Sequence, residues 1–437
     1  MTKEIKLLSF ALCVWTACTL SFMAAMGIGS GLLVLATCWA FRNDLPMVKK
    51  CFSSPLGLVT LVYFIISFFS LLAAKLSPPL GLAPESMFGL KKFHFFILPF
   101  LAALALVKTS GSKLAFEKHP LWRALFWMGI LVSLIGIIQF WGAYLFPANW
   151  LDDRFFRNMA TGNSVPVFHA QGLMYFHLSF ASAMGFVCSY AWGRVLWPLE
   201  EDDRNTKFAC LAFALLTTLA FFYTYSRISW VALIAMVVTL GFLKKPRWGF
   251  VSLALCALAA CCLWFGSENL RGRWNMGLGP ILEREQVWMA AIGMIKDRPI
   301  LGVGFGQTGH YSEIYAEHIL GHKPIFSSHA HNNFLDVAAA TGLLGLLAFL
   351  AWWIVLWRYL WRAFQESDIS KKWLPASCLA AFVTFQINGL TQVNFFDGKS
   401  EHSLMLWAGI ALALHWRGSQ FTNSKSTTKQ AKNFQNN

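Results

Sequence analysis

From residue 208 to residue 243 the chain carries a single charged side chain, Arg227. Such a stretch is too long for one crossing of a ~30 Å hydrocarbon layer, which takes about 20 residues, and suits two spans of about 17 with almost no loop between them. The pair must then turn within TYSRISW, residues 224–230, which sets Arg227 at a membrane boundary. Apolar runs of similar length recur along all 437 residues. Only 13% of the side chains are charged, against roughly 25% in soluble domains. The sequence therefore predicts an all-α polytopic membrane protein.

About twelve transmembrane helices are expected, near 7–25, 26–41, 55–74, 93–107, 122–147, 172–192, 208–224, 229–243, 249–266, 334–357, 373–392 and 402–416. The first run has no convincing cleavage site and leads straight into another span, so it is read as a retained helix. With the N-terminus inside, 23 of the 36 Lys and Arg fall on cytoplasmic segments, and six of the other 13 sit in one long loop. That asymmetry predicts cytoplasmic N- and C-termini. The net charge of +15 then reports topology and not a nucleic-acid partner. Residues 1–417 read as one integral membrane domain, and the polar tail 418–437 as disordered and cytoplasmic. Nine of the ten cysteines lie in apolar spans and Cys51 in a basic loop, a pattern that indicates neither a disulfide framework nor a thiolate metal site.

Two long external segments follow from this topology, 148–172 and 267–333. The second precedes the tenth span and is far longer than the other connections, which marks it as functional. Gly279-Pro280 opens a helix there. The sequence ILEREQVWMAAIGMIKD repeats apolar residues at 3–4 spacing until Pro299 stops it, giving an amphipathic helix over about 281–297 at the membrane surface.

Charge and chemistry concentrate at a few places. Arg227 at membrane depth is a functional candidate by default, weighed against an arginine that snorkels to headgroups. Arg284 precedes Trp288 by four residues on one helix face; six acids balance the six basic residues of its loop, so it is as much a solvated face as a ligand. In SSHAHNNFLD, residues 327–336, the side chains His329, His331, Asn332 and Asn333 sit at the mouth of the tenth span. Histidine titrates near neutral pH and suits a base acting on a hydroxyl. His310, His318 and His322 lie upstream, but no compact ligand spacing emerges, so no metal is expected. Asp336, one turn into the helix, is either a partner for His331 or an acid favoured by the helix dipole. Asp397 and Lys399 in the last external turn face the same side, as do Arg154 and Arg157 in DDRFFRN. Gly302-Val-Gly304-Phe-Gly306 looks like a phosphate-binding run, but with no βαβ unit around it the sequence reads as a tight turn.

The ordered set of an Arg at the turn of a helix pair, RxxxW in a large loop, PILGVGFG at 299–306, and His331-Asn332 nine residues before Gly342-x-x-Gly345 resembles the O-antigen ligase/O-antigen polymerase superfamily. The similarity is densest over about 220–350, and Leu346 stands where a Thr is frequent. The resemblance implies an enzyme of the bacterial inner membrane with a periplasmic active site. It would transfer a glycan from undecaprenyl pyrophosphate to an acceptor hydroxyl, inverting, without metal, nucleotide or other cofactor. Carried over by motif, His331 is the general base, and Arg227 and Arg284 hold the donor pyrophosphate. His329, Asn332, Asp336, Asp397 and Lys399 would support the site or meet the acceptor. The reading expected is an O-antigen ligase with lipid A–core as acceptor. An O-antigen polymerase is the first alternative and a protein O-oligosaccharyltransferase a weaker one. A transporter would instead show an intramembrane carboxylate chain or pseudo-repeated halves; His177, Gln139, Gln386 and Asn388 lie within spans, with neither feature present.

Overall fold

The computed structural model describes residues 2–84, 87–110, 116–147, 150–151, 155–156, 158–159, 167–266, 279–325 and 327–435. The chain is a polytopic helical membrane protein. In order it forms α1 (Lys3–Cys18), α2 (Met23–Phe41), α3 (Leu45–Phe52), α4 (Pro55–Leu76), a 3-10 segment (Met87–Ile97), α5 (Leu98–Ser110), α6 (Leu121–Phe140), α7 (Gly142–Leu145), α8 (His177–Leu196), α9 (Arg204–Phe222), α10 (Arg227–Lys244) and α11 (Pro246–Gly266). Then follow α12 (Gly279–Asp297), α13 (Thr308–Leu320), α14 (Asn333–Glu366), α15 (Trp373–Asn388) and α16 (Gly398–Gln435). Strands among the described residues amount to a two-residue antiparallel pair, Asn158–Met159 with Val167–Phe168.

Each expected span falls on a helix, and among the described residues eight helices are long and apolar enough to cross a membrane: α2, α4, Leu90–Ser110, α6, α9, α10, α11 and α14. The helix starts have local causes. Ser54 caps α4 by accepting from the Gly57 amide at 3.2 Å, with Pro55 in the first turn, where its missing N–H costs nothing. Asp203 caps α9 through the Thr206 amide at 2.7 Å, and Asn332 caps α14 through the amides of Phe334 and Leu335. Each satisfies donors that a helix start leaves open.

Three boundaries differ from the sequence reading. The first span ends at Cys18, because the chain turns through Thr19–Ser21 before α2 begins. The eleventh ends at Asn388 and not at 392, because Gly389 and Thr391 close a turn onto the Phe385 and Asn388 carbonyls. The last helix continues to Gln435, through the polar stretch expected as a disordered tail. Arg154 and Arg157 lie outside the described residues.

The long segment before α14 is built on two helices. Helix α12 covers the predicted 281–297. It buries Ala290, Ala291 and Met294 with Tyr311, Tyr315 and Ala316 of α13, and with Val303, Ala330 and Ala339. The Tyr315 hydroxyl donates to Asp297 at 2.6 Å and locks the two helices together. An aromatic core lies beneath. Phe305 packs on Phe93 (4.9 Å between ring centres), Phe396 (5.4 Å) and Tyr63 (6.3 Å), and Phe349 on Phe395 (4.7 Å). Distances of this kind suit edge-to-face contact. The 299–306 run, α4, α14 and the 389–397 loop are thereby held as one body.

Candidate functional site

The site is organised by a break in α14. Separated from its Asn332 cap by the nine residues 333–341, Gly342 adopts φ 68° and ψ −173°, a region essentially closed to residues with a side chain. The glycine run enters the gap backbone first. The Val303 and Gly304 amides donate to the Ala339 and Ala340 carbonyls at 2.9 and 3.0 Å, and the Leu343 amide donates to the Pro299 carbonyl at 2.8 Å. Ser70 of α4 adds a 2.7 Å hydrogen bond to the Ala340 carbonyl. Groups that a broken helix would leave open are therefore satisfied by the loop, as a membrane protein requires. Gly302 (φ 68°) and Gly342 face each other across this splice. A Cβ on Gly302 would fall 2.4 Å from the Ala339 oxygen, and one on Gly342 2.2 Å from the Ile300 carbonyl. The run at 302–306 is thus a turn, as read, but one whose purpose is to join the loop to α14.

The splice fixes the short helical stretch 333–341, and His331 sits just before it. His331 has φ 47°, a left-handed conformation uncommon for non-glycine residues but favoured several-fold for His. Its ring lies 4.5 Å from that of His329. Its Nδ1 meets the Gln392 Oε1 at 2.9 Å. Because the amide oxygen only accepts, Nδ1 carries the proton and the lone pair of the neutral ring is on Nε2. Burial pushes the His331 pKa down to about 4, helped by His329 and Arg284 and opposed by the Gln392 bond and Asp336. His329 is also shifted down, first by burial and then by Lys92, against the carboxylates of Asp336 and Asp397. Both rings are neutral at pH 7.

Asp336 is 5% exposed. Its Oδ1 accepts from the Thr308 hydroxyl at 2.7 Å and from the Ala330 amide at 3.2 Å. It therefore ties α13 and the His329–His331 segment to α14, while the Gln392 hydrogen bond orients His331. Asn332, besides capping α14, donates to the Leu390 carbonyl at 3.1 Å. Asn333 is fully buried and bonds Asn394 at 2.6 Å; its backbone amide donates to the Gly389 carbonyl at 2.8 Å. These bonds clamp the 389–397 loop against the motif.

Arg284, on α12, lies close enough to lower the His331 pKa. Arg227 opens α10, half-buried, two residues after Tyr225, which has φ 54°. No acidic side chain pairs with Arg227 among the described residues. The Arg227 turn reaches the site through Ser229, whose hydroxyl donates to Asn388 at 3.0 Å, next to Gly389. Asp397 accepts from Ser179 at 2.5 Å and from Ser400 at 3.1 Å, and it acts on His329 electrostatically. Lys399 contributes its backbone amide to Asp397 at 3.4 Å; no contact places its side chain with the histidines.

The sequence reading missed Gln392, Asn394 and Lys92. Gln392 was hidden at the end of an expected span. Lys92, on the 3-10 segment, lies over the Phe396 ring at 5.6 Å and is felt at both His329 and the fully buried Glu401. Nothing in its KKFH context distinguishes it from an interfacial lysine.

The arrangement offers a neutral imidazole with a fixed lone pair, one guanidinium close to it and a second on the adjoining turn. It suits removing a proton from a hydroxyl while an anion is held nearby. A comparison with curated proteins finds no match. Residues 212–350 match the family model described as Wzy_C: O-antigen ligase. The members of that family are glycosyltransferase-like enzymes, ligases and polymerases, that work on lipid-linked glycans in a membrane. The matched segment holds Arg227, Arg284, His331, Asp336 and the spliced glycines together, so that residues 212–350 carry a domain of the O-antigen ligase superfamily.

Proposed function

We propose that this protein is an O-antigen ligase of the bacterial inner membrane, joining a glycan carried on undecaprenyl pyrophosphate to lipid A–core at the periplasmic face. The observation that carries the reading is His331, whose Nδ1 bond to Gln392 leaves Nε2 as the basic nitrogen, with Arg284 beside it. Nε2 takes the proton of an acceptor hydroxyl as that oxygen attacks C1 of the donor sugar. The C1–O bond to pyrophosphate breaks on the opposite face, so configuration inverts. The electron pair leaves with undecaprenyl pyrophosphate, whose growing charge is met by Arg284 and Arg227. Guanidinium pairs bidentately with phosphate oxygens, and such fixed charges act most where the leaving group develops its own. The energy already resides in the donor linkage, so the chemistry needs no nucleotide.

The test is lipopolysaccharide analysis of a strain lacking the gene, with lipid-linked glycan followed in parallel. Core without any O-antigen, beside long polymer still on undecaprenyl carrier, is expected. Core bearing a single repeat would instead make the protein a polymerase. Unchanged lipopolysaccharide with altered glycoprotein would make it a protein O-oligosaccharyltransferase.

A further inference from the structure

We propose that Gln392 is a positioning residue that selects which nitrogen of His331 reacts, an assignment that rests on His331 being the base. Gln392 lies beyond the matched family segment, and two features make it more than a filler of loop space. It is 6% exposed, with its side-chain oxygen 2.9 Å from Nδ1. The loop that carries it is also immobilised on both sides. Before it, the Gly389 and Leu390 carbonyls accept from Asn333 and Asn332. After it, Asn394 bonds Asn333, Ser182 and the Phe385 carbonyl, Ser400 donates to the Asn394 carbonyl, and Phe395 donates to Asn333. The motif residues next to His331 thus hold the loop that in turn holds the His331 ring. A geometry closed in this way leaves the ring little freedom to flip.

The choice of an amide has chemical content. In hydrolases that use a Ser-His-Asp arrangement the orienting group is a carboxylate, which also stabilises the imidazolium once formed. An amide orients the ring equally well but carries no charge to keep the proton there. The charged groups that face His331 are Arg284 and Asp336; His329 stacks beside it, with Lys92 and Asp397 acting on His329 in turn. Arg284 and Lys92 oppose protonation, and the carboxylate of Asp336 is already engaged by Thr308 and Ala330. Gln392 therefore supplies direction without charge. The imidazolium is left as a transient acid, ready to give its proton up to solvent once the product departs.

Full-length protein in lipid nanodiscs, with lipid-linked donor and core acceptor, provides the test. Gln392→Met removes the acceptor at nearly constant volume and is expected to lower kcat roughly 10–100-fold, the cost usual for losing a group that orients a reactive histidine, with the donor KM unchanged. Gln392→Glu keeps the acceptor and adds charge. An anion this near raises a histidine pKa by about 1–3 units, so the acidic limb of the kcat profile moves toward neutral pH while kcat above it is largely kept. In a His331→Ala background Gln392→Met should cost nothing further. Wild-type kcat in Gln392→Met, an unmoved limb in Gln392→Glu, or an additional loss in the double variant would each overturn the assignment. A merely structural role would lower thermal stability and donor affinity together and leave the limb in place. Transfer by His331→Ala at the wild-type rate would dismiss the base reading itself, whatever Gln392 does.

Discussion

Replacing Gly342 by alanine tests the splice that builds the site. The residue sits at φ 68°, ψ −173°, a conformation that costs a non-glycine residue about 1–3 kcal/mol. The new Cβ would lie 2.2 Å from the carbonyl carbon and oxygen of Ile300 and 2.6 Å from the Leu301 nitrogen. All three are backbone atoms, so relief requires moving the 299–304 loop. That movement endangers the bonds Val303–Ala339, Gly304–Ala340 and Leu343–Pro299, each worth about 0.5–1.5 kcal/mol net. Losing the conformation and two of the three bonds destabilises the fold by roughly 2–6 kcal/mol. The control is Gly321→Ala. Gly321 also has positive φ (73°), but a Cβ there meets nothing within 4 Å, so only the left-handed conformation is charged, about 1–2 kcal/mol. Thermal inactivation of both variants in nanodiscs should place Gly342→Ala well below Gly321→Ala, with transfer lost in the former and kept in the latter. Equal midpoints and retained transfer in both would refute the splice as the feature that holds His331.

Four further outcomes follow. His331→Ala should reduce transfer to a small residual rate while donor still binds, measured by single-turnover transfer alongside donor retention on the purified protein. Arg227→Ala and Arg284→Ala should weaken donor binding and transfer together; undiminished donor affinity in both would remove the pyrophosphate role. Because the His331 pKa lies near 4 in the donor-free protein, kcat/KM for donor should hold from neutral pH down to well below 6. The acidic limb of kcat should lie higher, since bound pyrophosphate offsets Arg284. The same shift has a stability sign: the unfolded chain binds the proton that the folded His331 refuses, so this contribution is complete above pH 6.5 and is lost as pH falls toward 4. A chelator should leave transfer unchanged when titrated into purified protein.

Much of this architecture can be read from residues alone, and the reason differs from place to place. Arg227 stands out because 35 apolar or uncharged neighbours surround it. The spacing from His331-Asn332 to Gly342 is legible as a pattern, and its physical sense is that Asn332 starts a helix which Gly342 breaks after nine intervening residues. That the 302–306 glycines fill this same break is not legible, since a turn signal says nothing about its distant partner. Gln392 escapes for a related reason. An uncharged amide in GLTQVNFF neither breaks an apolar run nor signals a ligand, and its importance comes only from a contact across the fold. His331 in a left-handed conformation is likewise not legible locally, because His enters that region more often than most residues but still only in a small minority of cases.

The Gln392–His331 bond also bears on biosynthesis. Its two residues are 61 positions apart. At about 5–20 residues per second a ribosome takes roughly 3–12 s to travel that distance. Between them lie all of α14 and all of α15, both of which must be made before the loop can fold back. A nascent chain that has exposed the histidine motif therefore still lacks the group that orients it. Chains stalled or truncated before residue 392 carry His331 without its setting, so whatever chemistry that histidine performs is withheld until residue 392 has been made.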